Sequence, residues 1–178
     1  VTQMRAMMAY KVKFELNPST NEIKKWVNAV ETKVLSNLTE FWELRAVPIV
    51  AQSVANIFVT EGVGTWAPLN PAYAARKSRT HPFKTILRRS DLYFKSSTDR
   101  KRSGNLFETT PKSMTYGINL SAFGKPYPIF HELGTKKMPA RPVWSLLVKL
   151  PAFKLKLIVA LRKYLKDKVA VESKRVFG

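Results

Sequence analysis

Apolar and polar residues alternate over Ala9-Tyr10-Lys11-Val12-Lys13-Phe14-Glu15-Leu16, which predicts a half-buried strand with Tyr10, Val12, Phe14 and Leu16 on one side. Asn17 to Asn21 reads as a turn. From Glu22 the period becomes helical. Ile23, Val27, Val30, Val34, Leu38 and Phe41 step by three or four, with Trp26 and Trp42 flanking the stripe. This helix is expected to run to about Arg45 and to break or kink at Pro48. A second helix then aligns Val47, Val50, Val54, Ile57 and Phe58 and ends at Gly62 as its C-cap. Together they predict a helical hairpin or one bent rod. Gly62 to Asn70 is a loop, in which Trp66 beside Pro68 is a packing anchor. Pro71 to Arg76 suits a short helix with Pro71 at its first position. A further short helical piece is expected within Phe83–Phe94.

Ser96 to Asn105 contains no apolar residue and predicts a mobile loop with Asp99-Arg100-Lys101-Arg102 at its tip. Leu106–Thr109 and Ser113–Leu120 read as paired strands around Pro111, with Met114, Tyr116, Ile118 and Leu120 on one side. Pro126 and Pro128 hold the entry to Ile129-Phe130-His131-Glu132-Leu133 extended. That segment has room for one or two helical turns, closed by Gly134. Pro139-Ala140-Arg141-Pro142 cannot continue a helix and forms a stiff connection. Ser145–Leu150 reads as a further strand. Pro151 then opens a final helix whose apolar face is Phe153, Leu157, Ile158, Leu161, Tyr164, Leu165 and Val169, with fraying beyond Val171. The expected fold is α+β: long N-terminal helices, a small antiparallel sheet and a basic C-terminal helix. It makes one domain over 1–178, with a strand and helical arm in 1–62, a core with the sheet in 63–150 and the last helix in 151–178.

Charge changes this picture. The 178 residues carry 31 Lys and Arg against 12 Asp and Glu, a net +19. Residues 1–62 are nearly neutral, with seven basic and six acidic groups. Residues 63–112 hold eleven basic and three acidic, and residues 149–178 nine and two. Such a field attracts polyanions, nucleic acid first and acidic protein surfaces second. Lys154, Lys156, Arg162, Lys163, Lys166 and Lys168 make the last helix basic as well as amphipathic. Packing on the sheet with its lysines outward accounts for that pattern, so no membrane partner is expected. Lysines interrupt the longest apolar runs, which leaves no transmembrane segment, and Arg5, Lys11 and Lys13 interrupt any candidate signal peptide.

Chemistry is sparse. The chain has no cysteine and two histidines, His81 and His131. His131-Glu132 does not begin a zinc motif, because position 135 is Thr. There is no phosphate-binding glycine loop and no Ser-His-acid arrangement. No catalytic, cofactor-binding or metal-ligating residue is assigned, and an enzyme is not expected. Signatures of zinc fingers and of RNA-binding modules are absent as well.

His131-Glu132-Leu133-Gly134 followed by Met138-Pro139-Ala140-Arg141-Pro142-Val143-Trp144 resembles the signature of the phage virion-morphogenesis family, the group of tail-completion and tail-terminator proteins that includes that of phage Mu. Trp66-Ala67-Pro68-Leu69 with Tyr73 and Lys77 resembles a second segment of that family. Ile86-Leu87-Arg88-Arg89-Ser90-Asp91-Leu92 resembles a third, in which Asp91 stands where the family has Gly. The resemblance covers roughly residues 60 to 147. It implies a structural protein of the head–tail neck, made in the host cytoplasm and carried in the virion. By resemblance it forms a ring, a hexamer, around the DNA path and contacts neighbouring neck and tail-tube proteins. The assembly candidates are then His131, Glu132, Gly134, Arg141, Trp144 and Trp66. Arg141 is expected to reach a neighbouring subunit or to clamp Glu132. The candidates for facing DNA in the lumen, or an acidic partner, are Arg100, Lys101, Arg102, Lys154, Lys156, Arg162 and Lys163. The alternative function is a free, sequence-nonspecific nucleic-acid-binding protein using the same basic surface.

Overall fold

The computed structural model describes residues 20–121 and 127–177. The strand expected over Ala9–Leu16 lies outside the described residues. The fold is α+β, mostly helical with one two-stranded antiparallel sheet.

Helix α1 (Thr20–Val30) runs into a π-helical segment, Glu31–Leu35. The chain then leaves the helix at Ser36-Asn37-Leu38, so the helix expected to reach Arg45 is divided. Short polar side chains compete for backbone groups and favour such breaks. Here Asn37 Oδ1 accepts the Thr39 N–H at 3.0 Å, and the Leu38 N–H donates to the Pro111 carbonyl at 2.8 Å. The helix restarts as α2 (Thr39–Phe41), widens into a second π-helical segment (Trp42–Ala46) and continues as α3 (Val47–Val59). Pro48 therefore does not break it. A proline ring clashes with the carbonyl four residues back. In the wide turn before Pro48 the Val47 N–H reaches back to the Trp42 carbonyl, which leaves the ring room.

α3 buries Val47, Val50, Val54, Ile57 and Phe58, as its periodicity predicts. It ends in a left-handed turn in which Glu61, Gly62, Val63 and Gly64 take φ of 50°, 73°, 57° and 76°. A Cβ on Gly62 would lie 2.2 Å from the Trp66 ring, so the turn closes onto that indole only with glycine there.

α4 (Pro71–Thr80) begins at Pro71, and Asn70 caps it by accepting the Ala72 and Tyr73 N–H groups. Residues 81–91 are not helical. The short helix expected in Phe83–Phe94 starts only at Leu92, as α5 (Leu92–Thr98). Side chains take the backbone groups that a helix over 83–91 would use: Glu61 accepts the Ile86 N–H at 2.8 Å, and Lys77 Nζ donates to the Thr85 carbonyl at 2.5 Å. Phe83, Leu87 and Asp91 all adopt positive φ. The mobile loop expected over Ser96–Asn105 is instead tied down. Ser96 and Ser97 are fully buried in α5, Ser96 Oγ donates to the Ser103 carbonyl, and Asn105 Nδ2 donates to the Ser96 carbonyl. Only the turn around Asp99–Ser103 projects.

Strands β1 (Asn105–Thr109) and β2 (Met114–Ile118) pair antiparallel, with Phe107 opposite Tyr116. Met114, Tyr116 and Ile118 face the core, as their alternation predicts. α6 (Tyr127–Leu133) follows. The segment expected as a third strand is helical, α7 (Trp144–Lys149). α8 (Pro151–Phe177) starts at Pro151. It packs mainly along α1, both π-helical segments and α3, and from the sheet Met114 joins the cluster around Tyr164.

Two apolar clusters hold the fold. In the first, Phe58 lies edge-to-face with Trp66, Tyr93 and Phe94 at 6.0, 5.2 and 5.5 Å, joined by Val54, Ile57, Val143 and Leu147. In the second, Phe41 meets Tyr164 at 5.5 Å among Leu157, Leu161 and Leu165. Val27 and Ile158, both expected on buried faces, are 46% and 47% exposed. Beyond Val171, where fraying is expected, the described residues stay helical to Phe177: Trp26 Nε1 donates to Ser173 Oγ at 2.9 Å, and Glu172 lies 3.7 Å from Lys33.

Candidate functional site

Three segments distant in sequence meet beside the first cluster. α6 ends at Gly134, whose φ is 73°. A Cβ there would fall 2.7 Å from the Ala140 nitrogen, so glycine lets the returning chain pass against the helix end. Thr135 and Met138 exchange backbone hydrogen bonds, and Pro139 to Pro142 then runs back extended along α6. The Arg141 N–H donates to the His131 carbonyl at 2.6 Å.

Glu132 starts the next helix. Its Oε1 accepts the Val143 and Trp144 N–H groups at 2.7 and 2.9 Å, and its Oε2 accepts the Ser145 N–H at 3.2 Å and the Ser145 hydroxyl at 2.8 Å. The first N–H groups of a helix have no partner within it. A carboxylate that satisfies three of them makes residues 144–149 a helix rather than the expected strand. Among the described residues, Glu132 pairs with neither a lysine nor Arg141.

Arg141 is 5% exposed and bonds within the subunit. Nε and Nη2 donate to the Ala67 carbonyl at 3.1 and 3.0 Å, and Nη2 also to the Pro68 carbonyl at 3.1 Å. The expected clamp on Glu132 is thereby corrected. Arg141 clamps backbone carbonyls of the 62–70 loop, not Glu132. Trp66 returns the contact, its Nε1 donating to the Pro142 carbonyl at 2.9 Å. Each loop therefore holds the backbone next to the other loop's anchor. Trp144 leans on Tyr116, with ring centroids 6.1 Å apart.

His131 stacks on Tyr93 at 5.7 Å and meets Tyr127 edge-on at 6.0 Å. Its Nδ1 is buried with no hydrogen-bond partner among the described residues. Burial, and then the nearby Arg141 charge, push its pKa below the ordinary histidine value, and Glu132 offsets this only in part. The folded state thus keeps this ring neutral to a lower pH than the unfolded chain, which takes up a proton below about pH 6.5. Proton uptake by the unfolded chain favours unfolding, so stability falls as pH drops through that value. Thermal melts at pH 7 and pH 5 should show the loss. His131→Phe should make the melting temperature less dependent on pH in that window, and an unchanged pH dependence would assign the loss to other groups.

The six assembly candidates therefore form one internal knot. The free surface of the same stretch is the other side of α6, where Ile129, Phe130 and Leu133 are 47%, 37% and 75% exposed. Ile129 and Leu133 stand four apart, on one helix face. That spacing was the signal in the sequence, hidden by the neighbouring His-Glu pair.

The basic candidates occupy two places. Lys101 and Arg102 are exposed on the turn between α5 and β1, and the Arg100 guanidinium sits 5.2 Å over the Phe107 ring. Lys154, Lys156, Arg162 and Lys163 are exposed on α8. At about 100° per residue, Lys156 and Lys163 share one side while Lys154 and Arg162 lie toward the other. Leu155, Ile158 and Val159, all exposed, stand between them. The outer face of α8 is mixed apolar and basic, not a pure cationic stripe.

Among the described residues, no group of three His, Asp or Glu could hold a metal ion, and no helix is long and apolar enough to cross a membrane. No family model, curated protein or solved structure matches the chain.

Proposed function

We propose that this chain is a structural protein of a bacteriophage neck, of the tail-completion or tail-terminator kind, that assembles as a ring around the DNA path. The observation that carries this reading is the convergence of the three motif segments. Trp66 bonds Pro142, Arg141 bonds Ala67 and Pro68, and Lys77 bonds Thr85 next to the third segment. Motifs that look weak one by one thus form one structural unit, as parts of a shared signature should. Asp91 supports the same reading. It takes φ 56°, a conformation natural to the glycine that the family pattern has there. Its carboxylate is held by Lys84 and Arg88 instead.

A closed ring needs two different faces on each subunit. α6 offers Ile129, Phe130 and Leu133, and the outer side of α8 offers Leu155, Ile158 and Val159 with basic neighbours. The α8 face fits a neck protein presenting acidic and apolar groups. The exposed Lys101-Arg102 turn fits the DNA backbone in a lumen. That same turn is what favours the second reading, a free nucleic-acid-binding protein.

Native mass measurement separates the two. A ring of defined subunit number is expected from the intact chain. Ile129→Asp combined with Leu133→Asp should give monomers, with a melting temperature no lower than the monomeric subunit's, because both side chains already face solvent. An intact chain that stays monomeric and shifts DNA on a gel would favour the second reading instead.

A further inference from the structure

Beside the knot lies a cavity of about 660 Å³ between α4, the 81–91 segment, α5 and the 137–139 turn. Leu69 and Ile86 are among its apolar walls. Lys77, Arg89, Lys137 and Arg141 also line it, and among the described residues no carboxylate does. Lys77 is 6% exposed and Arg141 5%. Among the described residues neither forms an ion pair. Of the carboxylates in the neighbourhood, Asp91 is paired with Lys84 and Arg88, while Glu61 accepts the Ile86 N–H and acts on Lys77 and Arg141 through its charge without an ion pair.

The Lys77 ammonium has three N–H donors, and one is used, on the Thr85 carbonyl. Taking a cation out of bulk water is costly, the Glu61 charge nearby offsets this only in part, and an anion entering the cavity relieves the remainder. Burial, and the nearby Arg141 and Arg88 charges, lower the Lys77 pKa, and Glu61 and Asp91 offset this only in part. The apolar walls restrict which anion fits. Inorganic phosphate would meet the cations but lose hydration against Leu69 and Ile86 with no apolar contact in return, whereas an anion on an apolar body gains on both sides.

The geometry points to a binding site for a carboxylate carried on an apolar body, with Lys77 as the group that meets the carboxylate. Two sources share that chemistry: a free carboxylic amphiphile, or a Glu flanked by apolar residues on a neighbouring chain. This site does not depend on the neck reading, because the subunit alone forms the cavity.

Thermal shift and calorimetric titration of the full chain with octanoate, octanol and inorganic phosphate test it. A short peptide with one Glu between leucines is titrated alongside. Octanoate or the peptide should bind saturably. Octanol should bind about tenfold or more weakly than octanoate, the difference expected of a charge-assisted hydrogen bond. Lys77→Met keeps an unbranched side chain, one atom shorter and uncharged, and should remove that difference. Leu92→Trp, at a half-exposed position on the cavity wall, should block entry without touching the buried lysine. If octanoate binds more tightly than the peptide, the ligand is a free molecule, and the reverse order assigns it to a neighbouring chain. Equal binding of octanoate and octanol overturns the site. So does phosphate matching octanoate, or the absence of saturable binding by both octanoate and the peptide.

Discussion

Arg141→Ala should lower the stability of the isolated subunit by about 2–4 kcal/mol, the range for losing charge-assisted hydrogen bonds while leaving their buried partners unmade. The guanidinium is the donor to the carbonyls of Ala67 and Pro68, and it lies almost wholly out of solvent. For a chain of this size the loss corresponds to roughly 5–15 °C in melting temperature. Arg141→Lys should recover only part of it, because a single ammonium cannot place two donors on one carbonyl and a third on the next. The melt must be run on monomer, at a concentration below that of ring assembly. A normal monomer melt together with failed assembly would return Arg141 to a subunit contact.

What the sequence made legible, and what it did not, divides along a physical line. Burial along α3 follows from its apolar period, because a helix buries whatever shares one face. The β1–β2 hairpin follows from alternation around Pro111. Trp66 is legible as an anchor because a large indole beside a proline has few other uses. The break at Ser36–Leu38 is hidden because Val34 and Leu38 keep helical spacing across it. Ser96 and Ser97 look like solvated loop residues, yet the Ser96 hydroxyl meets a backbone carbonyl and both side chains are fully buried.

The candidate site shows the same division. Gly134 as the end of α6 is readable from its neighbours. The destination of Arg141 is not, because its partners are main-chain carbonyls, which every residue carries and no side-chain pattern marks. Glu132 misleads for a similar reason. A carboxylate suggests a cation, whereas this one accepts N–H groups eleven to thirteen residues away. Attention to charged groups also draws the eye from Ile129 and Leu133, the residues of that stretch left facing outward.

Glu132→Ala should cost about 2–4 kcal/mol, more than an ordinary cap, because one side chain accepts three backbone N–H groups and a hydroxyl at the start of α7. The loss should be local as well as global. Val143, Trp144 and Ser145 lose their acceptor together, and α7 carries Leu147, a buried member of the first cluster. Amide exchange at 143–147 should therefore speed up more than exchange in α3 or along α8. Glu132→Gln separates charge from shape. Its carbonyl can still accept the Val143 and Trp144 N–H groups, but its amide nitrogen would face the Ser145 N–H, donor against donor. Gln should thus fall between Glu and Ala in melting temperature, with the extra exchange concentrated at Ser145. Should Glu132→Ala leave exchange at 143–147 and the monomer melt unchanged while ring assembly fails, the carboxylate would belong to a subunit interface and α7 would owe its start to something else.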